Sequence, residues 1–111
     1  MASTLGRDDS LVPGQSIVSP SGQYFLTLQG DGNLALYQQG NTKALWASNT
    51  FGKAASKAVV QADGNFVLYD TQGNAVWASN TGGKGQSFLR VQDDGNLVVY
   101  LQGNPIWSSR G

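Results

Sequence analysis

Apolar and polar residues alternate along three short stretches of the chain, and each stretch is interrupted by an Asp-Gly pair. In the first stretch, Tyr24–Leu28 precedes the pair Asp31-Gly32, and Leu34–Tyr37 follows it. A period of two is typical of β-strands with one buried face, and Asp-Gly is typical of the turns that join antiparallel strands. No window of a dozen residues has convincing helical periodicity. The pattern therefore predicts an all-β chain built from hairpins.

The three stretches are copies of one motif of the form Gln-x-Asp-x-Asn-x-(Val/Ala)-x-Tyr. The copies align without gaps, with starts 32 and then 31 residues apart, at Gln29–Tyr37, Gln61–Tyr69 and Gln92–Tyr100. A tryptophan follows each copy, at Trp46, Trp77 and Trp107. Regular spacing with a second anchor indicates internal repeats. We predict one domain over residues 1–111, with repeats at approximately 18–50, 51–81 and 82–111.

The register of the hairpins follows from the length of their loops. A two-residue Asp31-Gly32 turn would place Gln29 on the same face as Leu34. A three-residue loop instead pairs Gln29 with Asn33 and puts Gly32 where a left-handed residue is needed. Only the longer loop groups the apolar side chains of all three repeats on one face, and a slip by one residue would reverse every side chain. The predicted core face comprises Leu26, Leu28, Leu34 and Leu36, then Ala58, Val60, Phe66 and Leu68, then Leu89, Val91, Leu97 and Val99.

A single small sheet cannot bury its apolar face, so the three sheets are expected to stack around a common axis like the sides of a prism. We interpret Trp46, Trp77 and Trp107 as core residues that meet near this axis. Trp107 lies four residues from the end of the chain, and we expect the last strand to lack a further partner in its own repeat. The segment from Leu11 to Ile17 is expected to complete that sheet.

Composition excludes several classes of function. Seven Lys and Arg balance seven Asp, and there is no Glu, His or Cys, so the basic excess of nucleic-acid binders and the usual catalytic base, thiol and zinc ligands are all missing. We expect no metal, no cofactor, no nucleic acid and no membrane insertion. No signal peptide is recognised, and we expect action on extracellular glycans after secretion or release, with a cytoplasmic location as the alternative.

The outward face of each hairpin carries the candidate chemistry. Turn formation alone explains Asp-Gly-Asn, but no turn requires the Gln or the Tyr. Amide and hydroxyl groups around a small apolar residue form a shallow patch that suits a sugar, whose hydroxyls need donors and acceptors. The candidate sugar-binding residues are Gln29, Asp31, Asn33, Ala35 and Tyr37, then Gln61, Asp63, Asn65, Val67 and Tyr69, then Gln92, Asp94, Asn96, Val98 and Tyr100.

The triplicate motif strongly resembles that of the monocot bulb-type mannose-binding lectins, the family of snowdrop lectin, over about residues 11–111. The resemblance implies a β-prism II fold of three four-stranded antiparallel sheets with pseudo-threefold symmetry and up to three metal-free mannose sites. It also implies that Asp and Asn hold the axial 2-hydroxyl, Gln bonds O3, Tyr bonds O4, and Val67 and Val98 touch the ring carbons. Glucose presents an equatorial 2-hydroxyl and would leave Asp and Asn partly unpaired.

Two departures from the family pattern change the expectation. Ala35 stands where the pattern has Val, so the first site is expected to be the weakest. Plant members typically carry a disulfide, and this chain without Cys is expected to be a non-plant or redesigned member. In the family the C-terminal strand is often exchanged between subunits, and we predict a homodimer by this route, whose several weak sites together give avidity.

Other interpretations remain open at this point. A glycosidase generally needs two carboxylates around the scissile bond, whereas each motif offers one. A bacteriocin-like or defence module that binds bacterial surface polysaccharide is the alternative function. A structural domain with decayed sites conflicts with three complete polar sets. A β-trefoil is the alternative fold, although its repeats are longer.

Overall fold

The computed structural model describes residues 2–110, which form an all-β structure. Its strands are β1 (Thr4–Leu5), β2 (Ser10–Leu11), β3 (Ser16–Val18), β4 (Tyr24–Leu28), β5 (Leu34–Gln38), β6 (Trp46–Ala47), β7 (Ala55–Val60), β8 (Phe66–Asp70), β9 (Ala75–Ala78), β10 (Phe88–Val91), β11 (Leu97–Leu101) and β12 (Asn104–Ser108). No helix that could span a membrane occurs in this part of the chain.

The strands form three four-stranded antiparallel sheets, which confirms the predicted β-prism II architecture. Each repeat supplies three consecutive strands, giving the orders β3-β4-β5-β6, β2-β7-β8-β9 and β1-β10-β11-β12. The fourth strand of every sheet comes from the segment before the first repeat. This segment passes around the prism and adds one short strand to each sheet in turn.

The segment from Leu11 to Ile17 was predicted to complete the sheet of the last repeat, and this prediction was wrong. Leu11 pairs with Ala58 in the second sheet, and Ile17 pairs with Leu26 in the first. The sheet of the last repeat is completed by β1 instead, which pairs with β10 through Leu5 and Leu89. The last strand, β12, pairs with β11 and has no further partner among the described residues, so it forms an edge of its sheet.

The three-residue hairpin loop is confirmed. The last strand pair before the first loop is Leu28 with Leu34, and the Gln29 amide then donates to the Asn33 carbonyl at 2.9 Å. Gly32 has φ +91°, the left-handed conformation that the loop requires at this position. The same bonds close the loops after Gln61 and Gln92.

The core lies between the three sheets. All twelve residues of the predicted core face have no solvent-exposed surface, and Leu5, Leu11 and Ile17 of the N-terminal segment join them. The three tryptophans meet as predicted, but they are only partly buried and pack against the core rather than lying within it. Their ring centroids are 5.3 to 5.5 Å apart, and each pair has an edge-to-face geometry, which is favourable for aromatic rings.

A carboxylate joins the first repeat to the third. The backbone N–H of Ser21 donates to Asp93 Oδ1 at 2.9 Å, and this bond holds the pKa of Asp93 below its usual value. A carboxyl group with a lowered folded-state pKa stabilises the fold at a pH above its unfolded pKa, which is about 3.9 for Asp. That contribution is lost as the pH falls through the folded-state value.

We therefore expect the free energy of unfolding to decrease below about pH 4, in part through Asp93. Urea unfolding between neutral pH and about pH 2 tests this, with Asp93→Asn as the matched variant. The variant lacks the titrating group and is expected to lose less stability on acidification than the parent. An identical pH dependence of the two proteins would contradict the assignment.

Candidate functional site

The outer face of each sheet carries one set of the predicted site residues, and the hairpin loop brings each set together. In the first repeat, Gln29 follows β4, Asp31 lies in the loop, Asn33 precedes β5, and Ala35 and Tyr37 lie on β5. The Gln, Asn and Tyr side chains are half-buried and the Asp is exposed in all three repeats. The second and third sites repeat this arrangement around β8 and β11.

Each loop Asp uses one carboxylate oxygen to form the turn. Asp31 Oδ1 accepts a hydrogen bond from the backbone N–H of Asn33 at 2.9 Å, and Asp63 and Asp94 accept the equivalent bond at the same distance. This is the Asx-turn role expected of Asp in such loops. The second oxygen, Oδ2, is left as an acceptor on the exposed side of the loop.

Each site Asn is held through its side-chain carbonyl oxygen. Asn65 Oδ1 accepts from Ser79 Oγ and from the backbone N–H of Thr81, both at 3.2 Å. Asn33 Oδ1 makes the same two bonds in the first repeat, with Ser48 and Thr50, at 3.3 Å. These bonds fix which end of the amide is the acceptor, so the Nδ2 group remains as a donor.

The hydroxyl groups that support the Asn were missed from the sequence. Ser79 and Thr81 are buried, their hydroxyl oxygens lie 2.8 Å apart, and Thr81 Oγ1 donates to the Gly64 carbonyl at 2.6 Å. The signal was present in the identical Trp-Ala-Ser-Asn-Thr segments, of which only the Trp was interpreted. In the third repeat Ser109 Oγ donates to Asn96 Oδ1 at 3.0 Å, but Gly111 replaces the Thr and has no hydroxyl group.

The Gln and Tyr of each site are hydrogen-bonded to each other. Gln29 Nε2 donates to Tyr37 Oη at 2.6 Å, and the pairs Gln61–Tyr69 and Gln92–Tyr100 form the same bond. The pairing occupies a lone pair of the hydroxyl oxygen, so the Tyr proton and the Gln Oε1 atom remain for a ligand.

The residues opposite the Tyr side chains differ between repeats. Phe25 stacks on Tyr37 with a centroid distance of 5.5 Å, and Phe88 stacks on Tyr100 at 5.4 Å. In the second sheet the strand partner of Tyr69 is Lys57, which is exposed. The first and third Tyr rings are thus supported by an aromatic neighbour, whereas the second has a cation beside it.

The apolar residue at the centre of each site forms a floor that is largely covered. Val67 and Val98 expose 3% and 2% of their surface, and Ala35 exposes none. The flanking polar side chains therefore present most of the surface that a ligand would meet. The three floors are alike in burial, and the first differs in having the smaller Ala side chain.

The three sites offer a defined set of polar groups. Each has acceptors on Asp and Gln and donors on Asn and Tyr, with a single carboxylate. The neighbouring Asp93 does not add a second carboxylate to the third site, since it is bonded to Ser21 in another repeat. No cluster of residues that could hold a metal ion occurs within residues 2–110. The arrangement suits recognition of a neutral, hydroxyl-rich ligand.

Fold and site geometry together are those of a carbohydrate-binding protein. No known family profile matches the chain. It is 42% identical to a mannose-specific lectin of Aloe arborescens over 79% of its own length and 80% of that protein. Two other curated relatives are matched over only 60% and 45% of their own lengths.

Solved structures agree with this similarity. The lectin of Marasmius oreades has a TM-score of 0.89 and 36% identity, covering 98% of this chain and 91% of that chain. The snowdrop (Galanthus nivalis) mannose-specific agglutinin, in complex with methyl-α-D-mannoside, has a TM-score of 0.81 and 35% identity, covering 90% of each chain. The chain belongs to the bulb-type mannose-binding lectin family, whose members bind carbohydrate and are not enzymes.

Proposed function

We propose that this protein binds terminal mannose residues of glycans through three metal-free sites, without catalysis. The observation that carries the proposal is the threefold recurrence of one set of free polar groups on Asp, Asn, Gln and Tyr. The Aloe arborescens relative is mannose-specific and the snowdrop agglutinin was solved with a mannoside, which supports mannose as the sugar.

The four free groups of each site suit three neighbouring hydroxyls of mannose. In the second site, Asp63 Oδ2 would accept from the axial 2-hydroxyl and Asn65 Nδ2 would donate to the same oxygen. Gln61 would bond O3 and Tyr69 would bond O4, while Val67 would lie under the ring. The equivalent residues take these roles in the other two sites. An equatorial 2-hydroxyl would leave the Asp and Asn groups unpaired, so glucose should bind more weakly.

The three sites are expected to differ in affinity. In the second site both Ser79 and Thr81 bond the Asn side chain, and the central apolar residue is Val67. In the first site both hydroxyl residues are present, but the central apolar residue is the smaller Ala35. The third has a Val floor, but its Asn receives a hydroxyl bond only from Ser109 among the described residues. We therefore expect the second site to bind most tightly and the first to bind a single mannose most weakly.

A residue-resolved NMR titration tests the function. Methyl α-mannoside is expected to shift the backbone amides of Asn33, Asn65 and Asn96, with dissociation constants of about 1 mM or higher at such shallow sites. Methyl α-glucoside should require at least about fivefold higher concentrations, the lower end of the cost of an unpaired polar group. Equal responses to the two sugars, or shifts outside the three loops, would overturn the proposal.

We further propose a homodimer that exchanges the C-terminal strand β12. This strand lies at the edge of its sheet, and a depression of about 290 Å³ beside it is lined by Pro105, Ile106, Trp107 and Ser108. Within one chain, a two-residue turn joins it to β11, with φ +52° at Gln102 and +84° at Gly103. Exchange requires this turn to open, because the strand must leave its own chain.

The turn offers a direct test of strand exchange. Asn adopts a left-handed conformation more readily than Gln, so Gln102→Asn stabilises the closed hairpin. Analytical ultracentrifugation should find a dimer for the parent and a higher dimer dissociation constant for the variant. A monomeric parent would exclude the dimer, and a dimer unaffected by the variant would exclude exchange as its basis.

A further inference from the structure

Phe51 is a large apolar side chain with no role in the core. It exposes 73% of its surface, more than the other exposed large apolar residues of the described chain, Leu45 at 52% and Val12 at 42%. Single exposed apolar residues are common and need no explanation by themselves. The position of Phe51 beside the first site is what makes it informative.

The backbone on both sides of Phe51 is bonded to the first hairpin loop. On one side, Thr50 donates from its backbone N–H to Asn33 Oδ1 at 3.3 Å and from its hydroxyl to the Gly32 carbonyl at 2.6 Å. On the other side, the Gly52 N–H donates to the Asp31 carbonyl at 2.8 Å. The base of the Phe51 side chain is therefore fixed relative to Asp31 and Asn33.

The second repeat shows how close this position is to the sugar-binding groups. Gly82 occupies the aligned position, and a Cβ atom built on it would lie 3.1 Å from Asp63 Oδ2 and 3.5 Å from Asn65 Cβ. The following glycines, Gly52 and Gly83, both have φ +79°. The backbone bond to the loop Asp carbonyl comes from Gly52 in the first repeat and from Lys84 and Gly85 in the second. The bonds of Thr50 and Gly52 to the first loop, together with this alignment, place Phe51 beside the first site, where the second site has only a glycine.

We propose that Phe51 forms a subsite for the second sugar of a mannose-terminated oligosaccharide bound at the first site. This inference rests on the proposed function, which places the 2-hydroxyl of the terminal mannose at Asp31 and Asn33. The anomeric carbon is next to the carbon that carries this hydroxyl. The sugar attached through the anomeric oxygen therefore leaves the site on the side of Phe51.

The chemistry of an aromatic ring suits that sugar. A hexose ring has an apolar C–H face, and an exposed phenyl ring offers a flat apolar surface for it. Neighbouring residues leave most of the Phe51 ring in contact with solvent, so a sugar can cover it. The first site has the smaller Ala35 where the other two sites have Val, and Phe51 supplies an apolar surface beside it. The first site thereby becomes selective for chain length, whereas the second, with Gly82, recognises the terminal sugar alone.

The test compares methyl α-mannoside with α-1,3-linked mannobiose by NMR, reading the amides of Asn33 and Asn65 separately. At Asn33, the parent should bind the disaccharide about threefold to tenfold more tightly than the monosaccharide, a gain comparable with that of one contact between two aromatic rings. At Asn65 the two ligands should bind equally. Phe51→Ala should reduce the ratio at Asn33 to about one without weakening the monosaccharide, while Phe51→Trp retains the preference.

Val12→Ala is the matched control, since it removes an exposed apolar side chain that follows a strand of the second sheet. It should leave the ratio at Asn33 unchanged. A parent ratio of one at Asn33, or an unchanged ratio in Phe51→Ala, would overturn the subsite while normal monosaccharide binding at Asn65 upholds the proposed function. If methyl α-mannoside shifts none of the loops, the proposed function fails and the subsite fails with it.

Discussion

Replacing Trp77 with Ala is expected to reduce the free energy of unfolding by about 3 kcal/mol, the lower end of the range for removal of a large aromatic side chain from a packed core, because the ring is partly buried. Trp77 contacts three aromatic rings. Its centroid lies 5.3 Å from Trp46, 5.4 Å from Trp107 and 5.8 Å from Phe66. Because the three tryptophans come from three different sheets, the substitution removes contacts that join all sides of the prism.

Urea denaturation followed by circular dichroism measures this effect. Trp46→Ala and Trp107→Ala are the matched variants, and both should cost less than Trp77→Ala, because neither ring has the additional contact with Phe66. Phe51→Ala is the surface control and should change stability by less than about 0.5 kcal/mol. A Trp77→Ala protein as stable as this control would contradict a structural role for the tryptophan cluster.

The strand faces could be predicted from the sequence because two constraints acted together. Alternation with period two limits each strand to two choices of face, and the loop length selects one of them. In the first hairpin, pairing Gln29 with Asn33 places Leu28 opposite Leu34, as the structure has it. Three copies of the motif make an accidental agreement of this kind implausible.

The N-terminal segment was not predictable by the same reasoning. Its strands have two or three residues, too few to display a period, and each exists only through its partner in another sheet. A weaker signal was present. The buried residues Leu5, Leu11 and Ile17 follow one another at intervals of six residues. This regular interval reflects a segment that adds one short strand to each of the three sheets.

The polar groups of the candidate site could be named from the motif, but their hydrogen-bonding states could not. Whether Asn65 offers its donor or its acceptor depends on Ser79 and Thr81, which reach it only after β9 has paired with β8. The covered state of Val67 likewise depends on the side chains that close over it. Such details arise from contacts between strands rather than from any one segment.

The Asn donor provides the sharpest test of the site. Asn65→Asp is expected to weaken methyl α-mannoside binding at the second site by at least about tenfold, since a donor to the 2-hydroxyl oxygen is replaced by an acceptor in the same place. The substitution retains Oδ1, so the bonds from Ser79 and Thr81 persist and the loop keeps its shape. Asn65→Ala would remove both roles at once and could not separate them.

The first and third sites of the same molecule serve as internal controls. An NMR titration should show unchanged binding at Asn33 and Asn96 while the second loop no longer responds. Ser79→Ala is the complementary variant. It retains the Nδ2 donor but removes one bond that orients it, so binding at the second site should weaken by less than in Asn65→Asp. If Asn65→Asp bound methyl α-mannoside with wild-type affinity, Asn65 would not donate to the 2-hydroxyl oxygen. The proposed reason for the preference for mannose over glucose would then be wrong.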